Sequence, residues 1–315
     1  MLEDKENKNR KGTEQRENAE EYGALSKAKE TAHMKIAYLG PEDSYSHLAA
    51  DTFLKSEGKG PSYERDECIP FRNFSEVFYA VETGRADAAA VPIENSLEGG
   101  VLQNLDLLQA SEDLYAVREN LLKIDHRLIY RKGTPYSEIG RVYSHRQALG
   151  QCLSFLSSRM PFASLKETES TAFGVARAAE DFSGRSAAIA GAHISFVPEG
   201  FVIGEECISD EKNNFTQFLL VKKGRKHLPP NSTRIFFSAV CPHRPGSLLA
   251  LLEIIAAHGV NMSKIESRPV KDRPGDYRFF IEAETDVGSG AFDAFFRELQ
   301  EKTLECKLLG AYNRT

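Results

Sequence analysis

Hydroxyl and amide side chains gather at four places where a short apolar run gives way to a helical pattern. They are Ser44 and Ser46 after residues 35–39, Glu94, Asn95 and Ser96 after 86–91, Ser144 and Gln147 after 141–143, and Ser170 and Thr171 after 164–167. Open α/β sheets bind ligands beyond the carboxyl ends of their strands. Free N–H groups and the positive dipole end of a helix start attract carboxylates. Several such turns facing one cleft would hold a small dianion. Each turn also has a local reading: Ser144-x-x-Gln147 fits a capping box, and Asn95-x-x-Glu98 nearly does. The readings are compatible, because a cap residue can also face a ligand. A fifth stretch, residues 213–218 (NNFTQF), reads on its own as a loop entering a strand. Histidine is a residue type suited to acid catalysis near neutral pH, which makes His126 and His145 candidates. His145 follows directly on an expected helix cap, which gives it a structural reading as well.

The elements that must position these residues alternate. Strands are expected over 35–39, 86–91, 141–143, 164–167, 186–190 and 218–221, and helices over 44–55, 99–108, 145–157 and 170–179. Such alternation implies an α/β fold with largely parallel sheets. Two lobes are expected, one from residues 34–112 with 205–222 and one from 113–204, with a cleft between them. Residues 222–233 (KKGRKHLPPNST) are basic, carry a Pro-Pro pair and read as a linker. Beyond it, residues 234–311 show strand, helix, strand, strand, helix, strand. In the second of these helices Phe292, Phe295, Phe296 and Leu299 recur at helical spacing. That order is the ferredoxin-like βαββαβ topology.

The chain of 315 residues is long enough for two domains, and 41% hydrophobic residues supply a sizeable core. A net charge of −6 argues against nucleic-acid or membrane-surface binding, which needs broad basic patches. The cysteines, Cys68, Cys152, Cys207, Cys241 and Cys306, are odd in number and widely spaced, which supports neither a disulfide framework nor a zinc site. No apolar run approaches a membrane span, and the N-terminus lacks a signal-peptide core. A cytoplasmic location is the expectation. Residues 1–33 are rich in charged and amide side chains, and a disordered tail is expected there.

The motifs resemble those of the prephenate dehydratase family. Residues 91–101 (VPIENSLEGGV) carry the most specific match, and residues 169–172 (ESTA) match directly. Residues 40–46 (GPEDSYS) resemble the family's Gly-Pro-x-Gly-Thr-Phe-Ser, with departures at Asp43, Ser44 and Tyr45. Residues 143–152 (YSHRQALGQC) resemble its Ser-His-Pro-Gln-Ala-Leu segment, with Arg146 in place of proline. The last unit resembles an ACT regulatory domain, through Gly246-Ser247-Leu248-Leu249 and Glu266-Ser267-Arg268-Pro269. The family closes its catalytic domain with Thr-Arg-Phe. Here the triplet is Thr216-Gln217-Phe218, so the threonine is kept and a cation capable of two-pronged carboxylate contacts is not.

The resemblance implies a two-lobed catalytic domain like type II periplasmic binding proteins, with the ACT unit attached. It implies conversion of prephenate to phenylpyruvate, carbon dioxide and water, with no cofactor and no metal. Thr216 would assist departure of the ring hydroxyl. Ser44, Ser46, Glu94, Asn95, Ser96, Ser144, Gln147, Ser170, Thr171 and Phe218 would hold the substrate. Gly246, Ser247, Leu248, Asn261, Glu266, Ser267, Arg268 and Pro269 would form a phenylalanine site at an ACT–ACT contact, in a homodimer or homotetramer. If Arg146 and Gln217 both face the cleft, the first would compensate for the second. The Gln217 departure keeps open an arogenate dehydratase or a non-aromatising decarboxylase, and the two-lobed architecture a solute-binding or amino-acid-sensing protein.

Overall fold

The computed structural model describes residues 34–57, 67–271 and 273–313. The tail expected over residues 1–33 lies outside them. The first lobe is built from β1 (Lys35–Leu39), α1 (Tyr45–Glu57), β2 (Glu67–Phe71), α2 (Phe74–Glu82), β3 (Ala88–Asn95), the short β4 (Gly99–Gly100), α3 (Leu102–Ala110) and β5 (Leu114–Lys123). The chain then crosses into the second lobe: β6 (His126–Arg131), β7 (Arg141–Ser144), α4 (Arg146–Gly150), α5 (Leu153–Arg159), β8 (Ser164–Glu167), α6 (Thr171–Ala179), β9 (Ser186–Gly191) and β10 (Phe201–Ile203). It returns through β11 (Phe215–Lys223). The C-terminal unit is β12 (Arg234–Val240), α7 (Ser247–Ala257), β13 (Asn261–Pro269), β14 (Tyr277–Glu284), α8 (Gly290–Lys302) and β15 (Glu305–Tyr312).

Three expectations shift. The lobe boundary falls after Lys123 and not at 113, because β5 pairs antiparallel with β11 along its length and so belongs to the first sheet. The helix expected over 99–108 begins at Leu102, since Gly99 and Gly100 pair back onto Asn95 and Glu94. The helix expected over 145–157 is broken at Gln151 and Cys152 into α4 and α5.

The second-lobe sheet runs β10-β6-β9-β7-β8, with β7 parallel to both β8 and β9. In the first lobe, β1 lies parallel to β2 and β3, so the chain turns that follow these strands open on one edge. Ala88, Ala89, Ala90 and Val91 of β3 are fully buried, as a central strand covered on both faces requires. Gly174 lets α6 lie against the end of β7. A Cβ there would sit 2.9 Å from the Tyr143 carbonyl oxygen and 3.1 Å from Ser144 Cα.

The C-terminal sheet, order β13-β14-β12-β15, continues the first-lobe sheet through a parallel contact of Gly310 with Ala116. Only glycine fits there, because an added Cβ would lie 2.5 Å from the Ala116 carbonyl oxygen. One face of this sheet buries Ile235, Phe237 and Ala239 against Leu251, Ile255, Phe295 and Leu299 of the two helices. The other face sends Phe236, Phe280 and Tyr312 into the first-lobe core beside Leu105, Leu108 and Ala116. This second burial explains why every residue of β12 is buried. Lys307 reinforces the join by donating to the Gln109 carbonyl at 2.7 Å, at the C-terminal end of α3.

Candidate active site in the interlobe cleft

The turns after β1, β3, β7 and β8 do meet, in a cleft of about 280 Å³ lined by Ser44, Ser46, Asn95, Gln147, Ser170, Thr171 and Thr216. Three helices start at its wall: α4 at His145 and Gln147, and two others capped by serine. Ser44 begins α1, its Oγ accepting from His47 N at 3.2 Å, and Ser170 begins α6, its Oγ accepting from Phe173 N at 3.0 Å. Among the described residues lining the cleft there is no Lys or Arg, and Glu169 adds a negative charge. An anion there would be held by N–H groups, hydroxyls and amides at the helix starts.

A chain of side-chain amides runs through the floor, and its polarity can be read from the backbone. Asn95 Oδ1 accepts from Leu97 N at 3.0 Å and Glu98 N at 3.1 Å, which fixes Asn95 Nδ2 as the donor. That nitrogen donates to Thr216 Oγ1 at 2.9 Å and to Asn214 Oδ1 at 2.8 Å. Asn214 Nδ2 in turn donates to Gln151 Oε1 at 3.1 Å, and the same oxygen faces His126 Nε2 at 3.1 Å. Thr216 therefore receives a hydrogen bond from Asn95 and keeps its own hydroxyl hydrogen for another acceptor. Asn95, Asn214 and Thr216 are all buried.

Two departures from the family motif clasp the lobes together. Tyr45 Oη accepts from Asp125 N and donates to the Asp125 carbonyl, both at 2.9 Å. Asp43, at a positive φ of 61° and following the cis Gly40–Pro41 peptide, accepts from Ser195 Oγ at 3.0 Å and Phe196 N at 3.2 Å. These bonds hold the Asp43 carboxyl below its ordinary pKa against the opposing effect of burial.

Other expected site residues lie elsewhere. Successive strand residues face opposite sides, so Glu94 turns away from Asn95 and pairs with Lys264 of β13 at 2.8 Å. Ser96 also leaves the cleft: its Oγ donates to the Asn213 carbonyl at 3.3 Å and accepts from Phe215 N at 3.0 Å. Ser144 is fully buried and donates to the Ile189 carbonyl at 2.7 Å, and it is His145 Nδ1, at 3.4 Å, that faces Gln147 N at the start of α4. Phe218 packs in the first-lobe core with Tyr38 and Phe53. Gln217 Nε2 donates to Glu282 Oε2 of β14 at 2.8 Å, in a buried cluster with Arg234 and Tyr312. The Arg146 side chain is 85% exposed and 4.0 Å from Glu167, so Arg146 and Gln217 do not both face the cleft, as a compensation between them would require.

The sequence motifs do not mark Gln151, Asn214 or Tyr45 as site residues. Gln151 is four positions past Gln147, one helical turn on, and that spacing was the available signal. For Asn214 only a fold that returns β11 beside β3 supplies the partner.

In the C-terminal unit, Gly246 has a positive φ of 83° and opens α7, and the Ser247 Oγ is buried without a partner among the described residues. Asn261 donates to Glu284 at 3.0 Å. Arg268 pairs with Asp106 of α3 at 2.6 Å, and the Glu266 carboxylate lies against Gly100. Glu266 and Arg268 thus face the first lobe, on the same side of β13 as Lys264. The structure gives Ser267 and Pro269 no comparable contact with the first lobe. Among the described residues, no helix is long and apolar enough to cross a membrane.

A family model described as prephenate dehydratase matches residues 36–226, and one described as ACT domain matches residues 235–289. A bifunctional chorismate mutase/prephenate dehydratase of Aquifex aeolicus is 35% identical over 89% of this chain and 73% of its own length. A prephenate dehydratase of Amycolatopsis methanolica is 32% identical over 89% of this chain and 88% of its own. A solved prephenate dehydratase of Arthrobacter aurescens, in complex with L-Phe, superposes with a TM-score of 0.76 at 31% identity, covering 89% of this chain and 90% of that one. With two lobes closing on a threonine held by an asparagine, and a βαββαβ unit joined behind them, this chain belongs to the prephenate dehydratase family and carries an ACT domain.

Proposed function

We propose that the cleft converts prephenate to phenylpyruvate, and that phenylalanine bound at the ACT unit inhibits it. One observation carries the catalytic part: Thr216 Oγ1 is held by Asn95 Nδ2 at 2.9 Å with its own hydrogen left over. The carbon–carboxylate bond of the substrate ring breaks, its electron pair forms the aromatic π system, and the ring carbon–oxygen bond opens. The dianion takes up one proton and yields carbon dioxide, water and the phenylpyruvate anion. A threonine hydroxyl is a weak acid, so Thr216 stabilises the departing oxygen by a hydrogen bond. The helix starts at Ser44–Ser46 and Ser170–Thr171, with Gln147, hold the carboxylates and keto group.

The Gln217 side chain points to the ACT unit and not into the cleft, so its departure from the family triplet does not favour an arogenate or decarboxylase reading. An L-Phe complex of a relative 31% identical supports phenylalanine as the effector. Homodimers or homotetramers joined through the ACT unit, in the cytoplasm, complete the reading. The test is to incubate purified protein with prephenate and follow phenylpyruvate absorbance in alkali, with arogenate in parallel and phenylalanine titrated in. No phenylpyruvate from prephenate would refute the proposal.

A further inference from the structure

His126 takes no part in the steps above, yet it lines the cleft and is 4% exposed. Its Nδ1 is buried without a hydrogen-bond partner among the described residues, and of those lining the cleft it is alone in this. The amide chain sets the ring's tautomer. Gln151 Oε1 is an acceptor, because it already receives Asn214 Nδ2, so the His126 Nε2 facing it must carry hydrogen. In the neutral ring Nδ1 is then a bare lone pair. Burial favours that neutral form most strongly and His193 adds to it, while the bond to Gln151 and the charge of Asp125 oppose it. The Tyr45 ring meets the imidazole edge-on, 6.1 Å between centroids.

A buried acceptor without a partner is costly, and a ligand that supplies a donor recovers that cost. Prephenate offers two carboxylates and a keto group, all acceptors, and a single donor, the ring hydroxyl. We infer that His126 Nδ1 accepts a hydrogen bond from the ring hydroxyl of the substrate, which makes His126 a specificity-determining residue. The inference rests on the function proposed above. The hydroxyl would be held twice, its hydrogen directed to His126 and its oxygen lone pair to Thr216. No bond is made or broken at the imidazole.

The test compares wild type, His126→Gln and His126→Asn with two ligands: prephenate, and an analogue carrying hydrogen in place of the ring hydroxyl. Glutamine reaches the Nε2 position and keeps the contact with Gln151, but leaves no acceptor at the Nδ1 position. Asparagine places a carbonyl near the Nδ1 position and gives up the contact with Gln151. The readout is the analogue's Ki divided by prephenate's KM. Wild type is expected to prefer prephenate by about tenfold, a hydrogen bond's worth. His126→Gln should lose the share of that preference that His126 supplies and keep only the share from Thr216, and His126→Asn should keep all of it. A wild-type preference retained in His126→Gln, as when Nδ1 holds only an ordered water, overturns the inference while leaving the dehydratase reading intact. Wild type that does not turn over prephenate overturns both. Should His126→Gln not fold, the preference of His126→Asn decides alone: kept, it supports the inference, and lost, it overturns it.

Discussion

Strands β3 and β11 show two faces to two different surroundings. On the cleft face, Asn95 and Thr216 are tied to each other and to neutral amides. On the ACT face, the adjacent Glu94 and Gln217 meet Lys264 and Glu282, within a region dense in charge: Arg234 pairs there with Glu119, Glu282 and Glu284. One residue step along a strand separates a neutral hydrogen-bond chain from an ionic contact with the regulatory unit. The neutral side suits chemistry that needs oriented donors. The ionic side suits coupling, since an ACT unit that shifts must move Lys264 and Glu282, and these hold the neighbours of Asn95 and Thr216. Allostery of this kind needs two states that the effector binds unequally, typically by about 1–3 kcal/mol.

The sharpest way to break the comparison is Thr216→Ala, which should cut kcat by about 10²–10³ with an unchanged melting temperature. Thr216→Ser should retain part of the activity. If steady-state assays show near-normal turnover in the alanine variant, Thr216 leaves the mechanism. On the other face the largest effect should be on stability. Arg234→Met leaves buried carboxylates unpaired, at a cost of about 3–5 kcal/mol read from urea denaturation. For the same reason, deleting residues 234–315 should unfold the first lobe, since it strips Phe236, Phe280 and Tyr312 from that core. A truncated chain that still melts cooperatively would show that the two units are separable.

Glu94→Gln should change the phenylalanine concentration for half-inhibition by about five- to tenfold, with a far smaller change in kcat. Loss of turnover without any change in phenylalanine response would place Glu94 with the cleft. The pH response should also be one-sided. His126 is held below its ordinary pKa by burial, so its protonation needs a lower pH than in the unfolded chain. The unfolded chain binds that proton first, so His126 lowers stability as pH falls through the unfolded value, and the cost levels off below the folded one. In the same range kcat/KM should fall, because Nδ1 becomes a donor. Asp125, His193, Tyr45 and Gln151 face this ring, and an acid limb unchanged in His126→Gln would assign it to another group. The smallest effect belongs to Arg146→Pro, an exposed position with a loose ion pair, expected within about 0.5 kcal/mol of wild type in binding and stability.

Alternation of strand and helix made the fold class legible, and the hydroxyl-bearing turns located the cleft, because both depend on local patterns. What was not legible depends on which way a side chain faces. Residues 94–96 read as one functional unit in sequence, yet strand alternation and the turn into β4 leave only Asn95 in the cleft. Ser144 looked like a cap, and its burial against the Ile189 carbonyl comes from β9, far along the chain. Gln217 looked like a lost substrate contact because nothing local shows that its partner is Glu282, 65 residues on. Asn214 and Gln151 gain their meaning from partners distant in sequence: Asn95 and each other for Asn214, and Asn214 and His126 for Gln151.

The central claim is that residues 216 and 217 serve different ends. Phenylalanine titrated into steady-state assays of wild type and Gln217→Met tests it most directly. Gln217→Met should turn over prephenate within about threefold of wild type while needing several times more phenylalanine for half-inhibition. If Gln217→Met loses turnover as completely as Thr216→Ala while its phenylalanine response is unchanged, the division between the two faces is wrong.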